Sequence, residues 1–79
     1  MAARDTVTEG GVDAFIAKVQ TAVPETQAYD RDTLQNIAEN VCTLGNVTDA
    51  VRVLDNYSQI PAVDRDAVAR IALENACAK

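Results

Sequence analysis

Apolar residues recur along the chain at spacings of three and four rather than by alternation. Four segments share this spacing, and in each the apolar side chains fall on one stripe of a helix. The stripes are Val12, Phe15, Ile16, Val19 and Val23; Leu34, Ile37, Ala38, Val41 and Leu44; Val47, Ala50, Val51, Leu54 and Tyr57; and Val68, Ile71, Ala72 and Ala76, widened by Ala69 and Leu73. The pattern predicts helices over 12–23, 30–44, 47–57 and 64–77, and no strand.

Turn-forming residues separate the four segments. Pro24 follows the first stripe, Gly45 follows the second at the position of a left-handed helix end, and Pro61 lies between the third and fourth. The connections are short, and short loops between helices produce antiparallel neighbours. The sequence therefore predicts an all-α, compact four-helix domain of short antiparallel helices over residues 12–79. The polar residues 1–11, which end in two glycines, are predicted to form a flexible tail.

Two Asp-Arg-Asp triplets precede the second and fourth helices. Paired carboxylates could bind a divalent cation or serve as acid and base, but the further oxygen ligands and the Gly of a calcium-binding loop are missing. We instead expect Asp30 and Asp64 to cap the helices, and Asp32 and Asp66 to complement the helix dipole. Each cap is flanked by an apolar pair with the spacing of a hydrophobic staple, Tyr29 with Leu34 and Val63 with Val68.

Composition and charge narrow the functional classes. The chain has 79 residues, a length that corresponds to one domain, and a net charge of −5. It contains no histidine, which excludes catalytic triads, metal sites and pH switches that use histidine. The negative charge argues against nucleic acid or an anionic membrane as a partner. No stretch resembles a transmembrane helix. Ser58, the only serine, has no histidine to activate it, and we expect no enzymatic activity, no metal site and no cofactor.

The two cysteines, Cys42 and Cys77, are too far apart for a redox Cys-x-x-Cys motif, and a zinc site would need carboxylates to complete it. They form either a disulfide or two free core thiols. The core is small and rich in Ala and Val, which is where a covalent link stabilises a domain most. Both cysteines lie at the edge of their stripes, which favours a bridge between neighbouring helices. Residues 29–42 and 63–77 resemble each other, except that the later segment contains one extra residue, Leu73. This residue turns Cys77 away from the position that Cys42 holds, so we expect the last turn of the fourth helix to unwind if the bridge forms.

The residues together resemble a known family. Asp13-Ala14-Phe15-Ile16 opens a first helix, Tyr29-Asp30 precedes a second that ends in Val41-Cys42-Thr43-Leu44-Gly45, and Cys77 closes the last helix. This pattern, over about Val12 to Cys77, is similar to a domain-of-unknown-function family of small secreted or lipid-anchored proteins of mycobacteria and related actinobacteria, also carried by their phages. The resemblance implies a helical fold, an exported location, a Cys42–Cys77 disulfide and no catalytic residues.

The chain departs from that family pattern in two respects. Its first residues, Met1-Ala2-Ala3-Arg4-Asp5, contain no apolar region of a signal peptide, so an exported form would be the mature part of a longer precursor. Its second helix is also more polar. The polar residues of that helix are Gln35, Asn36, Glu39 and Asn40.

Three functional hypotheses follow. The first is a non-enzymatic, exported interaction module of the bacterial cell envelope, with an unidentified protein partner. The second is a carrier of a small apolar ligand or lipid in a cavity between helices, and the third is a cytoplasmic, phage-encoded protein that binds a host protein.

Tyr29, Tyr57 and Ile60 lie at helix ends beside prolines and could line a groove for a partner or ligand. Such residues more often close the ends of a small core, and we favour that interpretation.

Overall fold

The computed structural model describes residues 7–77, and this part of the chain forms a bundle of four α-helices without a strand. The helices are α1 (Glu9–Ala22), α2 (Arg31–Leu44), α3 (Val47–Leu54) and α4 (Arg65–Asn75). Short 3₁₀ helices, Pro24–Ala28 and Ala62–Asp64, lie in the first and last connections. The radius of gyration is 11.0 Å, close to the roughly 12 Å expected for a compact domain of this length. The predicted all-α, four-helix class is confirmed.

The helices pack around one shared core. α4 contacts all three other helices, and α2 contacts α1, α3 and α4. The disulfide between Cys42 and Cys77 joins the end of α2 to the chain just beyond α4, so the C-terminal ends of these two neighbours lie together. α1 begins beside them, because the Thr8 N–H donates to the Ala76 carbonyl oxygen, and α3 begins three residues after α2 ends. One end of the bundle therefore carries the disulfide, and the other carries the starts of α2 and α4.

The observed helix ends differ from the predicted ones by up to three residues. α1 begins at Glu9, inside the segment predicted to be a tail, because Thr8 caps it by accepting a hydrogen bond from the Gly11 N–H at 2.9 Å. The rest of that predicted tail, residues 1–6, lies outside the described residues, as do residues 78–79 of the predicted domain. α3 ends at Leu54, three residues before its predicted end.

Two of the predicted helix signals are confirmed and two are wrong. Asp30 caps α2 by accepting a hydrogen bond from the Thr33 N–H at 2.8 Å, and Gly45 ends α2 in the left-handed conformation with φ of 77°. Asp64 makes no capping hydrogen bond, because the 3₁₀ turn before it leaves its backbone helical rather than extended. The staple predicted with it is also wrong, since Val63 is 87% exposed while Val68 is buried.

The core is made mostly of small and branched aliphatic side chains around one aromatic ring. Phe15 is the only phenylalanine, and it is fully buried. The other large, fully buried apolar side chains are Leu34, Ile37, Leu54, Ile60, Val12, Val19, Val23, Val41 and Val68. The buried hydroxyl of Thr26 donates to the carbonyl oxygen of Val23 at 2.7 Å, which satisfies its polar group where the chain leaves α1. No helix within residues 7–77 has both the length and the apolar character to cross a membrane.

Candidate functional site

The disulfide end of the bundle brings together the two predicted cysteines. Cys42 lies in the last turn of α2 and Cys77 lies two residues beyond the end of α4, with their Cα atoms 5.4 Å apart. That separation is within the usual range for a disulfide. Neither residue is fully buried. The helix ends before Cys77, which is the unwinding that the extra Leu73 led us to expect.

A second contact at this end joins the start of the described chain to its end. Val7 pairs with Cys77 in an isolated antiparallel β-bridge, and the Thr8 N–H donates to the carbonyl oxygen of Ala76 at 3.1 Å. Val7 is only 6% exposed and belongs to the core. We call this arrangement, residues 7–11 against residues 75–77, the terminal clasp. It links α1 to α4 directly, and to α2 through the disulfide.

The first half of the terminal clasp was not predicted from the sequence, although a local signal was present. Val7 precedes the capping Thr8, and Val12 follows four residues after the cap. An apolar residue before the cap and another at the fourth helical position form the hydrophobic staple pattern. Both valines are buried. The two glycines between them masked this pattern, because Gly is unfavourable in a helix.

The opposite end of the bundle, which we call the tyrosine end, contains the three residues considered for a groove. The rings of Tyr29 and Tyr57 meet edge to face with centroids 5.9 Å apart, and the Tyr29 hydroxyl accepts a hydrogen bond from the Gln59 N–H at 3.0 Å. Both rings are partly buried against the core, and Ile60 is 1% exposed. Ile60 therefore has no surface to offer a partner. These contacts support the interpretation that the three side chains close one end of the core.

A cleft of about 390 Å³ opens to solvent between the start of α1 and the first turns of α2. Its described lining consists of Val7, Glu9, Arg31 and Gln35, and Arg31 forms an ion pair with Asp13. Three of these four lining side chains are charged or polar. This cleft does not match the apolar cavity between helices that a carrier of apolar ligands requires.

Two of the four acidic side chains of the triplets, Asp30 and Asp66, form hydrogen bonds within their own helices. Hydrogen bonds from Thr33, first from its backbone N–H and second from its side chain, hold the pKa of Asp30 below its ordinary value. Asp66 accepts a hydrogen bond from Arg70 at 2.6 Å within α4, and this contact raises the pKa of Arg70. Over residues 7–77, no three acidic, cysteine or histidine side chains come together as a metal site would require.

Comparison with known proteins leaves the sequence and the geometry as the basis for inferring function. No protein-family model, no curated protein and no solved structure matches the chain. The resemblance to the actinobacterial family therefore stays a prediction from the residues that carry it.

Proposed function

We propose that the protein is a non-enzymatic, exported interaction module that binds another protein at the bacterial cell envelope. The observation that carries this proposal is the disulfide between Cys42 and Cys77. Small domains linked in this way are typical of oxidising compartments, because cytoplasmic thiols are kept reduced. The family resemblance, which implies export, supports the same location.

The surface of the domain indicates the chemistry of the partner. Three of its arginines already pair with acidic side chains of the same chain: Arg31 with Asp13, Arg65 with Asp55 and Arg70 with Asp66. Since acidic residues outnumber basic ones by five over the whole chain, these pairs leave a surplus of negative charge. The complementary partner is a protein with a basic surface, and charge of opposite sign speeds its association.

The exposed apolar residues indicate where contact is made. Val63 is 87% exposed at the tyrosine end, on the connection that leads into α4. The contact between Tyr29 and Gln59 and the ion pair between Arg65 and Asp55, at 2.8 Å, hold the chain on either side of Val63. An exposed apolar side chain on a connection held at both sides can enter a pocket on the partner with little loss of entropy.

Photo-crosslinking in the native host would test this proposal. A photoreactive amino acid replaces Val63 in one strain and Leu44, which is 38% exposed at the disulfide end, in a matched control strain. We expect the Val63 position to give one crosslinked envelope protein that is not obtained from the Leu44 position. Binding of the purified partner should then weaken at least about tenfold in Val63→Asp but not in Leu44→Asp, and weaken further with salt.

Two outcomes would contradict the proposal. One is a protein recovered only from the cytoplasm with both cysteines open to alkylation before any reduction, which would favour the cytoplasmic, host-binding hypothesis. The other is equal affinity of wild type and Val63→Asp for every crosslinked partner.

A further inference from the structure

We infer that the Cys42–Cys77 disulfide is a redox switch that controls the terminal clasp. Reduction by a dithiol frees the start of α1 from the end of α4, while the rest of the four-helix core stays folded. The dithiol supplies two electrons and two protons, the S–S bond breaks, Cys42 and Cys77 become thiols, and the dithiol becomes a disulfide. This inference does not depend on the proposed partner.

The disulfide is the covalent restraint on the chain beyond α4, as far as Cys77. α4 ends at Asn75, and the last regular hydrogen bond of the helix runs from the Ala76 N–H to the Ala72 carbonyl at 2.9 Å. Beyond Ala76, Cys77 contacts Cys42 through the disulfide, Val7 through the β-bridge and the Ala72 carbonyl oxygen through its Sγ, at 3.6 Å. Once the disulfide is reduced, nothing covalent keeps this residue beside α2.

The start of α1 depends on the position of that same segment. A Cβ atom placed on Gly11 would lie 2.5 Å from the Asn75 carbonyl oxygen and 3.0 Å from the Ala76 carbonyl oxygen. The backbone of α1 therefore rests directly on the end of α4, and the Thr8 N–H bonds to it as well. Freeing residues 75–77 removes the support for Thr8 and Gly11 together.

The rest of the core has its own contacts and can survive this opening. The large buried side chains of α2, α3 and α4 are supplied by residues that lie outside the terminal clasp, including Leu34, Ile37, Leu54 and Val68. α3 packs against both α2 and α4, so these three helices stay in contact when the clasp opens. Opening then exposes Val7 and Ala76, both buried in the oxidised protein. The two cysteines are only partly buried, so a dithiol can reach them.

Hydrogen exchange on the oxidised protein and on the reduced, alkylated protein would test the local opening. We expect exchange to become at least about tenfold faster in peptides covering residues 8–14 and 73–77, and to stay slow in residues 34–41 and 65–71. Uniform loss of protection would show that the disulfide merely holds the whole fold together. Unchanged protection everywhere would show that the clasp does not respond to reduction. Either result overturns the inference.

A matched pair of glycine variants tests the coupling from the other direction. If reduction opens the clasp, then opening the clasp must favour reduction by the same factor. In Gly11→Ala the new methyl group collides with the Asn75 carbonyl oxygen and with the Thr8 hydroxyl, both of which belong to the clasp, whereas in Gly10→Ala it meets nothing within 4 Å. In a dithiol redox buffer, we expect Gly11→Ala to shift the equilibrium toward the reduced form at least about fivefold, and Gly10→Ala to leave it unchanged. Equal equilibria for both variants would overturn the coupling.

Discussion

The three glycines lie in three different environments. Gly10 has open space around it, Gly11 permits the close approach of the carbonyl oxygens at the end of α4, and Gly45 adopts a positive φ of 77°. Of these, only Gly45 could be interpreted from the sequence, because it directly follows an apolar stripe. The role of Gly11 depends on a contact with the far end of the chain, and no local pattern reports such a contact.

We expect Gly45→Ala to destabilise the domain by about 1 kcal/mol, because a Cβ atom makes the left-handed conformation unfavourable. In a domain of this size, that loss lowers the melting temperature by roughly 4–8 °C. Thermal unfolding followed by circular dichroism would measure it. Gly10→Ala is the control, since it adds a methyl group in open space and should leave the melting temperature equal or higher. A Gly45→Ala protein that melts at the wild-type temperature would contradict the assignment.

At the scale of helices, the starts of α2 and α4 show what the sequence can and cannot predict. Both segments carry an Asp-Arg-Asp triplet after an apolar residue, and both were predicted to be capped. Only Asp30 caps its helix, because its backbone is extended before the first turn. Asp64 belongs to a 3₁₀ turn whose helical backbone keeps the carboxylate from the free N–H groups. The tertiary packing of a connection decides whether the carboxylate reaches the first turn. The existence of the four helices and both ends of α2 were therefore predictable, whereas the start of α4 was not.

We therefore expect two similar substitutions to differ in effect. Asp30→Ala removes the hydrogen bond to the Thr33 N–H and should lower the melting temperature, whereas Asp64→Ala removes no capping bond and should lower it less. Thermal melts of the two variants at neutral pH would compare them. Equal losses would show that general charge effects in the first turn, and not the capping hydrogen bond, stabilise α2.

The lowered pKa of Asp30 gives a pH dependence of defined sign. Its carboxyl has a lower pKa in the folded chain than its ordinary value of 3.8, so the cap contributes stability above that value. The contribution is lost as the pH falls through the folded pKa. We expect the difference in melting temperature between wild type and Asp30→Ala to be largest near pH 7 and to shrink on titration to about pH 2. A difference that grows on acidification would contradict this.

For the whole molecule, the core and the disulfide are two separate sources of a small total stability. The core packs mostly aliphatic side chains around Phe15, and the disulfide closes a loop between residues 35 apart in sequence. The sequence favoured the pairing of Cys42 with Cys77 over two free thiols, because both cysteines lie at the edge of their apolar stripes. It did not predict the terminal clasp, because the pairing of Val7 with Cys77 joins opposite ends of the chain.

A core substitution combined with reduction would show how the two sources share the stability. Phe15→Ala should cost about 3–5 kcal/mol, since the ring is fully buried, and loss of the disulfide should cost about 3–4 kcal/mol. A domain of this size has about 4–12 kcal/mol in total. With a total of about 8 kcal/mol, the middle of that range, each change alone leaves a folded protein at 25 °C with a much lower melting temperature. The two changes together remove about 6–9 kcal/mol, so Phe15→Ala should be largely unfolded on reduction. Phe15→Leu is the control, because it nearly conserves volume and should stay folded in both redox states. A cooperative thermal transition in reduced Phe15→Ala, recorded by circular dichroism, would show that the remaining aliphatic contacts are stronger than their small side chains indicate.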